Sequence, residues 1–479
     1  MNFKLILRIT GATLLIEAAT MAVPLGVALI YREDPLPFLM AIAVLLCLGL
    51  PLRFLLKSGR AFFAREGFCA VALIWVLLSA FGALPFWFSG QFGSYVDCLF
   101  ETASGFTTTG STILTAIEGL PYGLLFWRSF THWLGGMGVL ILAVALLPSL
   151  GVSSTFLIRA ESPGPIASKL VPKASHSSKI LYTIYLALTV LQTVLLRLAG
   201  LPWYDSLIHA MGTAGTGGFS NRNASVGAYG NPAVEIIITV FMLLFSVNFS
   251  LYFLLLCRKF KQVLNRDELR FFLIVVAAAT VLIAVNIAPM YAGIGETVRT
   301  SAFQVASIIS TSGFATADFN LWPEFSKIVL LILMFIGACA GSTGGGMKCA
   351  RILVLMKTLR REIRTIIHPR AVAVVKLDGE AVPERTLGSI HAFFVAYMVC
   401  LFIAALVVGL DNFTLGTTLT AVVTCLSNVG PGLEAVGPMG NFAAFSPLSK
   451  LMLSLCMIVG RLEIFPMLVL FSRNAWKRS

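Results

Sequence analysis

The stretch Thr107-Thr108-Thr109-Gly110-Ser111 decides the fold, because altered copies of it recur three more times along the chain. The copies are Gly215-Thr216-Gly217-Gly218-Phe219, Ser310-Thr311-Ser312-Gly313-Phe314 and Ser427-Asn428-Val429-Gly430-Pro431. When the four are aligned on their shared glycine, the position two before it reads Thr, Thr, Thr and Asn. A short polar motif that returns roughly every hundred residues, each time between apolar segments, predicts a fourfold internal repeat.

The composition indicates a membrane protein with several spans. Hydrophobic residues make up 58% of the 479 positions and charged residues only 12%, whereas soluble domains carry about 25% charged residues. The net charge of +13 does not indicate a nucleic-acid partner, because the basic residues fall in short blocks between apolar runs. The nine cysteines and five histidines lack metal-ligand spacing, and no paired acids or nucleophile–base pair stand out. An enzyme is therefore not expected, and neither a catalytic residue nor an organic cofactor is assigned.

Ten apolar runs are long enough to cross a hydrocarbon core of about 30 Å. They are predicted at 9–31, 36–56, 68–90, 124–148, 180–200, 233–257, 270–290, 326–346, 387–409 and 448–471. Lys and Arg collect on one set of flanks, which is expected to be cytoplasmic. Those residues are Lys57, Arg60, Arg65, Arg159, Lys169, Lys173, Lys179, Arg258, Lys259, Lys261, Arg266, Arg270, Lys357, Arg360, Arg361, Arg364, Arg370, Arg473, Lys477 and Arg478. Both termini should then be cytoplasmic, and all four glycine motifs should lie on the opposite side.

A stretch too short to span the bilayer precedes each glycine motif. These predicted re-entrant half-helices cover 97–108, 205–216, 299–311 and 416–427. Irregular backbone at membrane depth is tolerated where it lines a water-filled path, so four such loops predict one pore on a pseudo-fourfold axis. The expected fold is an all-α membrane protein of four helix–pore loop–helix repeats, preceded by two extra N-terminal helices. The expected units are 1–60 for the N-terminal pair and 61–150, 151–260, 261–370 and 371–479 for the pore repeats.

The four loops carry the chemistry expected of a potassium selectivity filter. In such filters, rings of backbone carbonyls replace the hydration shell of the ion, and glycine adopts the unusual backbone angles that aim carbonyls inward. A half-helix whose C-terminal end points at the loop adds partial negative charge, which favours a cation. One such motif alone is typical of an ordinary turn, but four in register between spans favour a pore. The predicted filter residues, which would bind potassium, are Thr108, Thr109, Gly110, Thr216, Gly217, Gly218, Thr311, Ser312, Gly313, Asn428, Val429 and Gly430.

Acidic residues near the loops have other expected roles. Asp97 and Asp205 stand at the predicted starts of two half-helices, where an N-cap role is expected. Glu101 and Glu434 are candidates to charge the outer vestibule of the pore. No acidic cluster in the sequence replaces the carbonyls as the source of cation ligands.

These motifs resemble those of the Trk/Ktr/HKT superfamily of potassium transporters, and within it the bacterial Trk-type transmembrane subunit. The likeness extends over essentially the whole chain and is carried by Thr108-Thr109-Gly110-Ser111, Gly215-Thr216-Gly217-Gly218-Phe219-Ser220, Ser310-Thr311-Ser312-Gly313-Phe314-Ala315 and Ser427-Asn428-Val429-Gly430-Pro431-Gly432. The presence of two helices before the first repeat resembles the Trk branch of the superfamily, because Ktr-type subunits lack that pair. A serine at the first filter glycine goes with sodium permeation in plant relatives, so Gly110 implies potassium. The resemblance also implies the bacterial inner membrane, a homodimer, and a peripheral cytosolic regulatory subunit that binds nucleotides.

A glycine-rich stretch at 337–348 interrupts the apolar run at 326–346. Each glycine costs about 1 kcal/mol relative to alanine inside a helix, so a straight helix is not expected there. The stretch is not a P-loop, because Met347 stands where that pattern requires lysine, whereas close helix packing through small residues is an alternative. The resemblance implies an intramembrane loop that closes the pore beneath the filter, and Lys348 would hold it by hydrogen bonding. The gating residues of this loop would be Gly341, Gly344, Gly345, Gly346 and Lys348.

Arg461 lies within the last predicted span. A charge at mid-membrane costs at least about 2.5 kcal/mol, so such residues usually face a cavity or a partner. The resemblance places this arginine in the pore just below the filter, as an electrostatic barrier to cations. The alternative is a structural pair with Glu463, although residues two apart on a helix do not share a face.

The sequence predicts potassium uptake driven by the membrane potential, which is worth about 2.3 kcal/mol per charge per 100 mV. The alternative is a symporter that couples potassium to protons or sodium, for which Glu463 is the main candidate as the ion-binding group. The basic segment 357–376 has two interpretations, a surface that faces lipid headgroups and the docking surface of the regulatory subunit that the resemblance implies.

Overall fold

The described chain is mostly helical, in a computed structural model that describes residues 3–55, 64–138, 174–370 and 373–472. The α-helices are α1 (Phe3–Ile30), α2 (Leu36–Phe54), α3 (Ala64–Gly82), α4 (Leu84–Phe88), α5 (Tyr95–Phe106), α6 (Tyr122–Gly136), α7 (Ala174–Leu198), α8 (Trp203–Gly215), α9 (Pro232–Ser246), α10 (Phe249–Leu256), α11 (Phe260–Leu264), α12 (Asp267–Ile287), α13 (Ile294–Ile309), α14 (Glu324–Ile336), α15 (Cys349–Ile367), α16 (Glu384–Val408), α17 (Leu415–Ser427), α18 (Pro447–Arg461) and α19 (Phe465–Phe471). Short 3₁₀ helices cover Ser225–Tyr229, Ala288–Met290, Phe319–Leu321, Gly409–Asp411 and Glu434–Val436. The strands β1 (Lys376–Leu377) and β2 (Glu380–Ala381) form one antiparallel hairpin. The expected predominance of α-helix is confirmed.

Fewer helices span a membrane without interruption than the ten predicted. Six described helical segments are long and apolar enough: α1, α2, α3 together with α4, α7, α12 and α16. Two bent pairs bring the number to eight, because α9 meets α10 at 93° and α18 meets α19 at 120°. The predictions of continuous spans at 233–257 and 448–471 are therefore wrong, whereas the run at 326–346 is interrupted after Ile336, as its glycine-rich stretch predicts. The residues 139–148 of the predicted span 124–148 lie outside the described residues, as do the flanking Lys57, Arg60, Arg159, Lys169, Lys173, Arg473, Lys477 and Arg478 and the side chain of Arg65.

Each break occurs where the backbone turns sharply inside an apolar run. Helix α14 ends at Gly337, which has φ +68°, and α18 is followed by Glu463 and Ile464 with φ +55° and +66°. Between α9 and α10, the Asn248 side chain accepts a hydrogen bond of 2.9 Å from the Ser250 amide and so caps α10. Such breaks persist at membrane depth when neighbouring groups satisfy the freed backbone. An average of hydropathy over a window does not register them.

The N-terminal pair is fastened to the rest of the chain through the loop that joins α1 to α2. The carboxylate of Glu33 accepts hydrogen bonds of 2.6 and 2.9 Å from the amides of Tyr122 and Gly123, at the start of α6. A negative charge at that place also interacts favourably with the helix dipole. The rings of Tyr31 and Tyr122 stack with centroids 4.2 Å apart. The pair therefore contacts the start of α6 directly.

Short helices α5, α8, α13 and α17 occupy the four stretches predicted as half-helices, and each is buried along its C-terminal half. Helices α5 and α8 start two residues earlier than predicted, so Asp97 and Asp205 occupy the third helical position. The predicted N-cap roles of these two residues are wrong, and Ser94 caps α5 instead. Asp97 accepts a 2.6 Å hydrogen bond from Lys450, and Asp205 accepts one of 2.7 Å from Asn221.

Candidate functional site

The helices α5, α8, α13 and α17 all end in the same backbone conformation. In each loop the motif glycine and the residue two before it have positive φ: Thr108 (+56°) and Gly110 (+84°), Thr216 (+57°) and Gly218 (+72°), Thr311 (+60°) and Gly313 (+75°), Asn428 (+55°) and Gly430 (+101°). The amide between them donates a 2.9 Å hydrogen bond to the carbonyl five residues earlier, in the pairs Thr109–Ser104, Gly217–Gly212, Ser312–Ser307 and Val429–Thr424. This is the hydrogen bond of a Schellman helix ending. The four sequence motifs thus fold into four loops of one geometry.

The four loops meet in a ring, in chain order. At each junction the motif glycine of one loop lies against the carbonyl that precedes the glycine of the next loop, in the pairs Gly110–Gly217, Gly218–Ser312, Gly313–Val429 and Gly430–Thr109. A Cβ added at Gly430 would lie 2.7 Å from the Thr109 oxygen, and the other three would come closer still. Both the positive φ and this close approach require glycine. The ring therefore brings all twelve predicted filter residues together.

Side-chain hydrogen bonds join the first loop to the fourth. The Asn428 Nδ2 atom donates to Thr109 Oγ1 at 2.9 Å and to the Met457 carbonyl at 2.9 Å. The Ser111 hydroxyl donates to the Gly430 carbonyl at 3.0 Å. Asparagine at position 428 thus bridges two loops and the following helix, which a threonine hydroxyl with its single donor would not do.

A buried ion pair between α5 and α6 packs against the ring and contacts the segment that follows its second loop. Arg128 on α6 donates to Glu101 on α5 at 2.5 Å, and both side chains are almost fully buried. Arg128 also donates to the Ser220 carbonyl at 2.9 Å, and its guanidinium lies 3.5 Å above the Phe219 ring. The Glu101 carboxylate further accepts from the Ile113 amide at 3.0 Å. Glu101 is consequently a structural residue and does not charge the vestibule.

Arg128 is a buried charge that motif spacing does not single out, although its position in the sequence carries a signal. Arg128 lies in an apolar run, and the rule that singles out Arg461, that an intramembrane charge has a partner or a cavity, applies equally to it. Its partner Glu101 was noted only as a vestibule candidate. The pairing becomes visible only when α5 and α6 pack together.

A cavity of about 120 Å³ opens on one side of the ring, and all four motif glycines line it. Its rim includes residues that follow the glycines in the first, second and fourth loops. Glu434 lies outside this lining, exposed at the start of α17, where Thr414 and the Thr417 hydroxyl and amide donate to its carboxylate. These hydroxyl bonds lower the pKa of Glu434 below its ordinary value. The charge of Glu434 is therefore held at the N-terminus of α17.

The glycine-rich loop between α14 and α15 lies against the opposite side of the ring. Its Gly345 amide donates to the Thr311 hydroxyl at 2.7 Å, and the Gly346 amide donates to the Ser427 carbonyl at 2.8 Å. The Lys348 ammonium donates to the Gly344 carbonyl within the same loop. The loop thus sits directly beneath the third and fourth loops of the ring, and Lys348 makes the kind of hydrogen bond predicted for it.

Arg461 occupies the same inner side, beneath the first loop. Its guanidinium donates to the carbonyls of Gly135, Gly136 and Thr343 at 2.6, 2.7 and 2.7 Å, and it contacts the Thr108 hydroxyl at 3.3 Å. The carboxylate of Glu463 is bonded to Arg351. Arg461 therefore connects the ring, the glycine-rich loop and the end of α6.

Glu268, on the first turn of α12, holds both ends of the glycine-rich loop. One of its carboxylate oxygens accepts from the Ala340 amide at 2.6 Å and from the Ala350 amide at 3.1 Å. The neighbouring Asp267 pairs with Lys357 on α15 at 2.7 Å. Glu268 does not stand out in the sequence, because an acid in the first turn of a helix is favourable there without any further role.

The sequence matches the TrkH family model, described as a cation transport protein, over residues 37–478. Proteins named Trk system potassium uptake protein TrkH from Salmonella typhimurium and Escherichia coli are each 40% identical over 493 residues, with 100% of both chains covered. The Escherichia coli protein named Trk system potassium uptake protein TrkG is 34% identical, with 99% of each chain covered. The crystal structure of the potassium transporter TrkH from Vibrio parahaemolyticus matches with a TM-score of 0.89 at 34% identity, over 100% of both chains.

Proposed function

Because the chain belongs to the TrkH family of cation transport proteins, we propose that it takes up potassium across the bacterial inner membrane through the ring of four glycine loops. The family is one of transporters and not of enzymes, as the names of its members state. The observation that carries the proposal is the ring itself, in which four loops of one geometry present backbone carbonyls at equivalent places. Carbonyl rings of this kind replace the hydration shell of a potassium ion.

The helix ends strengthen the preference for a cation. The C-termini of α5, α8, α13 and α17 all lead into the ring, and each carries partial negative charge from its backbone dipoles. The four repeats are not identical, since Asn428 replaces threonine and bridges two loops. A ring without exact symmetry is expected to discriminate between ions less sharply than a symmetric one.

The inner side of the ring supports a gate. The glycine-rich loop and Arg461 lie on the path that an ion would follow after leaving the carbonyls. A positive charge there opposes a cation electrostatically, and the loop backbone occupies the space beneath the third and fourth loops. In the proposed transport cycle these two elements move aside, and the membrane potential drives the ion inward.

The arrangement in the cell is also part of the proposal. The basic flanks favour cytoplasmic termini, and the resemblance implies a homodimer with a cytosolic nucleotide-binding regulatory subunit. The relatives are named as members of a Trk system, which supports further components. The coupled symporter is the less favoured function, because the Glu463 carboxylate that would bind the coupled ion is already paired with Arg351.

Cation flux into proteoliposomes under an imposed potential tests the proposal, with K⁺, Rb⁺ and Na⁺ compared. We expect the parent protein to prefer K⁺ and Rb⁺, and Gly110→Ser to relax that preference because the new side chain displaces the Gly217 carbonyl. Gly119→Ser is the matched control, since a Cβ there meets no atom within 4 Å. If the parent protein moves all three ions at equal rates, and Gly110→Ser does not change those rates, the ring is not the selective element.

A further inference from the structure

A groove with a basic lining runs between α15 and the chain leading into β1. Its volume is about 320 Å³. The basic side chains of the groove are Lys357, Arg360, Arg361, Arg364 and Lys376, and its remaining lining is Ala373, Val374 and Val375. The groove therefore combines strong positive charge with a short apolar stretch of lining.

Side chains within the described residues neutralise two of the five basic groups. Arg361 pairs with Glu384 at 2.6 Å and with its neighbour Glu362, and Lys357 pairs with Asp267 at 2.7 Å. Arg360, Arg364 and Lys376 form no ion pair with any side chain in the described ranges. The groove therefore has three cations available for an external anion.

An apolar stripe runs along α15 beside the groove. Its members share one helical face at spacings of three and four residues and are 43–78% exposed: Met356, Leu359, Ile363, Ile366 and Ile367. A helix that carries an apolar stripe next to a basic stripe is typical of the membrane interface, where the apolar side enters the acyl region and the basic side meets headgroups. Charge complementarity favours the anionic lipids of the cytoplasmic leaflet.

We propose that this groove binds the phosphate headgroup of an anionic phospholipid, with the apolar stripe of α15 lying on the acyl chains. The placement at the cytoplasmic face rests on the membrane orientation proposed above. Helix α15 begins one residue after Lys348, so a lipid that fixes α15 also fixes one end of the glycine-rich loop. Lys357 provides a second link, because its partner Asp267 adjoins Glu268. Lipid composition can thereby influence the gate.

Lipid retention by the full-length protein, measured by native mass spectrometry, tests the binding without any transport measurement. The protein is equilibrated with phosphatidylglycerol or phosphatidylcholine in mixed micelles. We expect preferential retention of phosphatidylglycerol, weakened by R360Q/R364Q roughly 25-fold, from about fivefold per basic residue near a lipid surface. K259Q/K261Q is the matched control, since it removes the same charge from exposed cytoplasmic-side residues outside the groove, and it should change retention by less than about twofold.

Three results would overturn the lipid assignment. An equal loss in R360Q/R364Q and K259Q/K261Q would mean that only general surface charge attracts the lipid. Inorganic pyrophosphate bound as tightly as phosphatidylglycerol would assign the groove to a free phosphate compound. Unchanged lipid retention with an altered oligomeric state in R360Q/R364Q would make the α15 face a contact between copies of the chain. A protein that retains phosphatidylglycerol as expected but fails to move potassium would refute the proposed transport function alone.

Discussion

Replacing Glu268 with alanine should raise potassium flux, because the Glu268 carboxylate holds both ends of the glycine-rich loop against the inner side of the ring. The substitution removes the acceptor of two backbone hydrogen bonds, from Ala340 at 2.6 Å and from Ala350 at 3.1 Å. Neither amide belongs to a helix interior that would offer another carbonyl. The glycine-rich loop then loses both hydrogen bonds to α12, the one near its first residues and the one just after its last.

The magnitude follows from those two bonds. A hydrogen bond to a charged group contributes about 1.5–3 kcal/mol, and because Glu268 is only half-buried we assign about 1 kcal/mol to each bond. Losing both would destabilise the closed loop by about 2 kcal/mol. Since every 1.4 kcal/mol is a factor of ten, the ratio of open to closed protein would rise roughly 30-fold. While the open form is the minor one, flux rises in proportion.

Rubidium uptake into proteoliposomes with equal amounts of reconstituted protein measures this change. Glu268→Gln should give an intermediate flux, because its amide oxygen still accepts both hydrogen bonds without the charge. Glu380→Ala is the matched control, since it removes an exposed carboxylate from the β2 strand and should leave the flux unchanged. A flux for Glu268→Ala equal to that of this control would refute the anchoring role. A lower flux with a lower unfolding temperature would show that Glu268 supports the fold and not the closed loop.

Three further predictions concern single side chains around the ring. Arg461→Gln should raise potassium flux roughly 30-fold in the same uptake assay, because a unit charge taken at roughly 8 Å from the ion opposes it by about 2 kcal/mol at an effective dielectric constant of about 20; unchanged flux would remove Arg461 from the proposed gate. Glu101→Gln should destabilise the fold by about 3–5 kcal/mol, because it leaves Arg128 buried without a counter-charge; an unchanged unfolding temperature in detergent would contradict this. Glu434→Gln should lower the unfolding temperature at pH 7 but not well below pH 4. Because the pKa of Glu434 is lowered in the folded protein, its ionised form stabilises the fold above the ordinary glutamate pKa of about 4.3. This contribution is lost as the pH falls through the folded pKa. A difference in unfolding temperature between parent and variant that persists in acid would contradict the assignment.

The short helices and the loops were predictable because their signals are local. The motif glycines mark positions of positive φ, and the sequence spacing places each of them at the end of a short apolar stretch. The starts of these helices were predicted less accurately than their ends: α13 begins at Ile294, five residues before the predicted 299. Helix starts depend on which nearby side chain caps the first turn, and Ser94 rather than Asp97 does so for α5.

Hydropathy does not predict the breaks after Ser246 and Arg461, and the glycines of 337–348 predict the break after Ile336 but not the groups that stabilise it. A break such as the one after Ile336 is stabilised by partners far away in sequence, including the Ser427 carbonyl and the Glu268 carboxylate. The same is true of the Arg128–Glu101 pair, whose members lie on different helices. Composition identifies an apolar environment, but the identity of a hydrogen-bond partner depends on which elements pack together.

Thr108 and Thr311, each two residues before a motif glycine, connect the proposed filter to the proposed gate. The Thr311 hydroxyl accepts from Gly345 of the glycine-rich loop, and the Thr108 hydroxyl contacts Arg461. In this state the innermost side-chain oxygens of two loops are therefore engaged by the very elements proposed to move. Displacement of the loop and of Arg461 would free those oxygens to face an ion at the moment the path opens. Opening the gate and completing the innermost layer of cation ligands would then be one event, because the same hydroxyls take part in both.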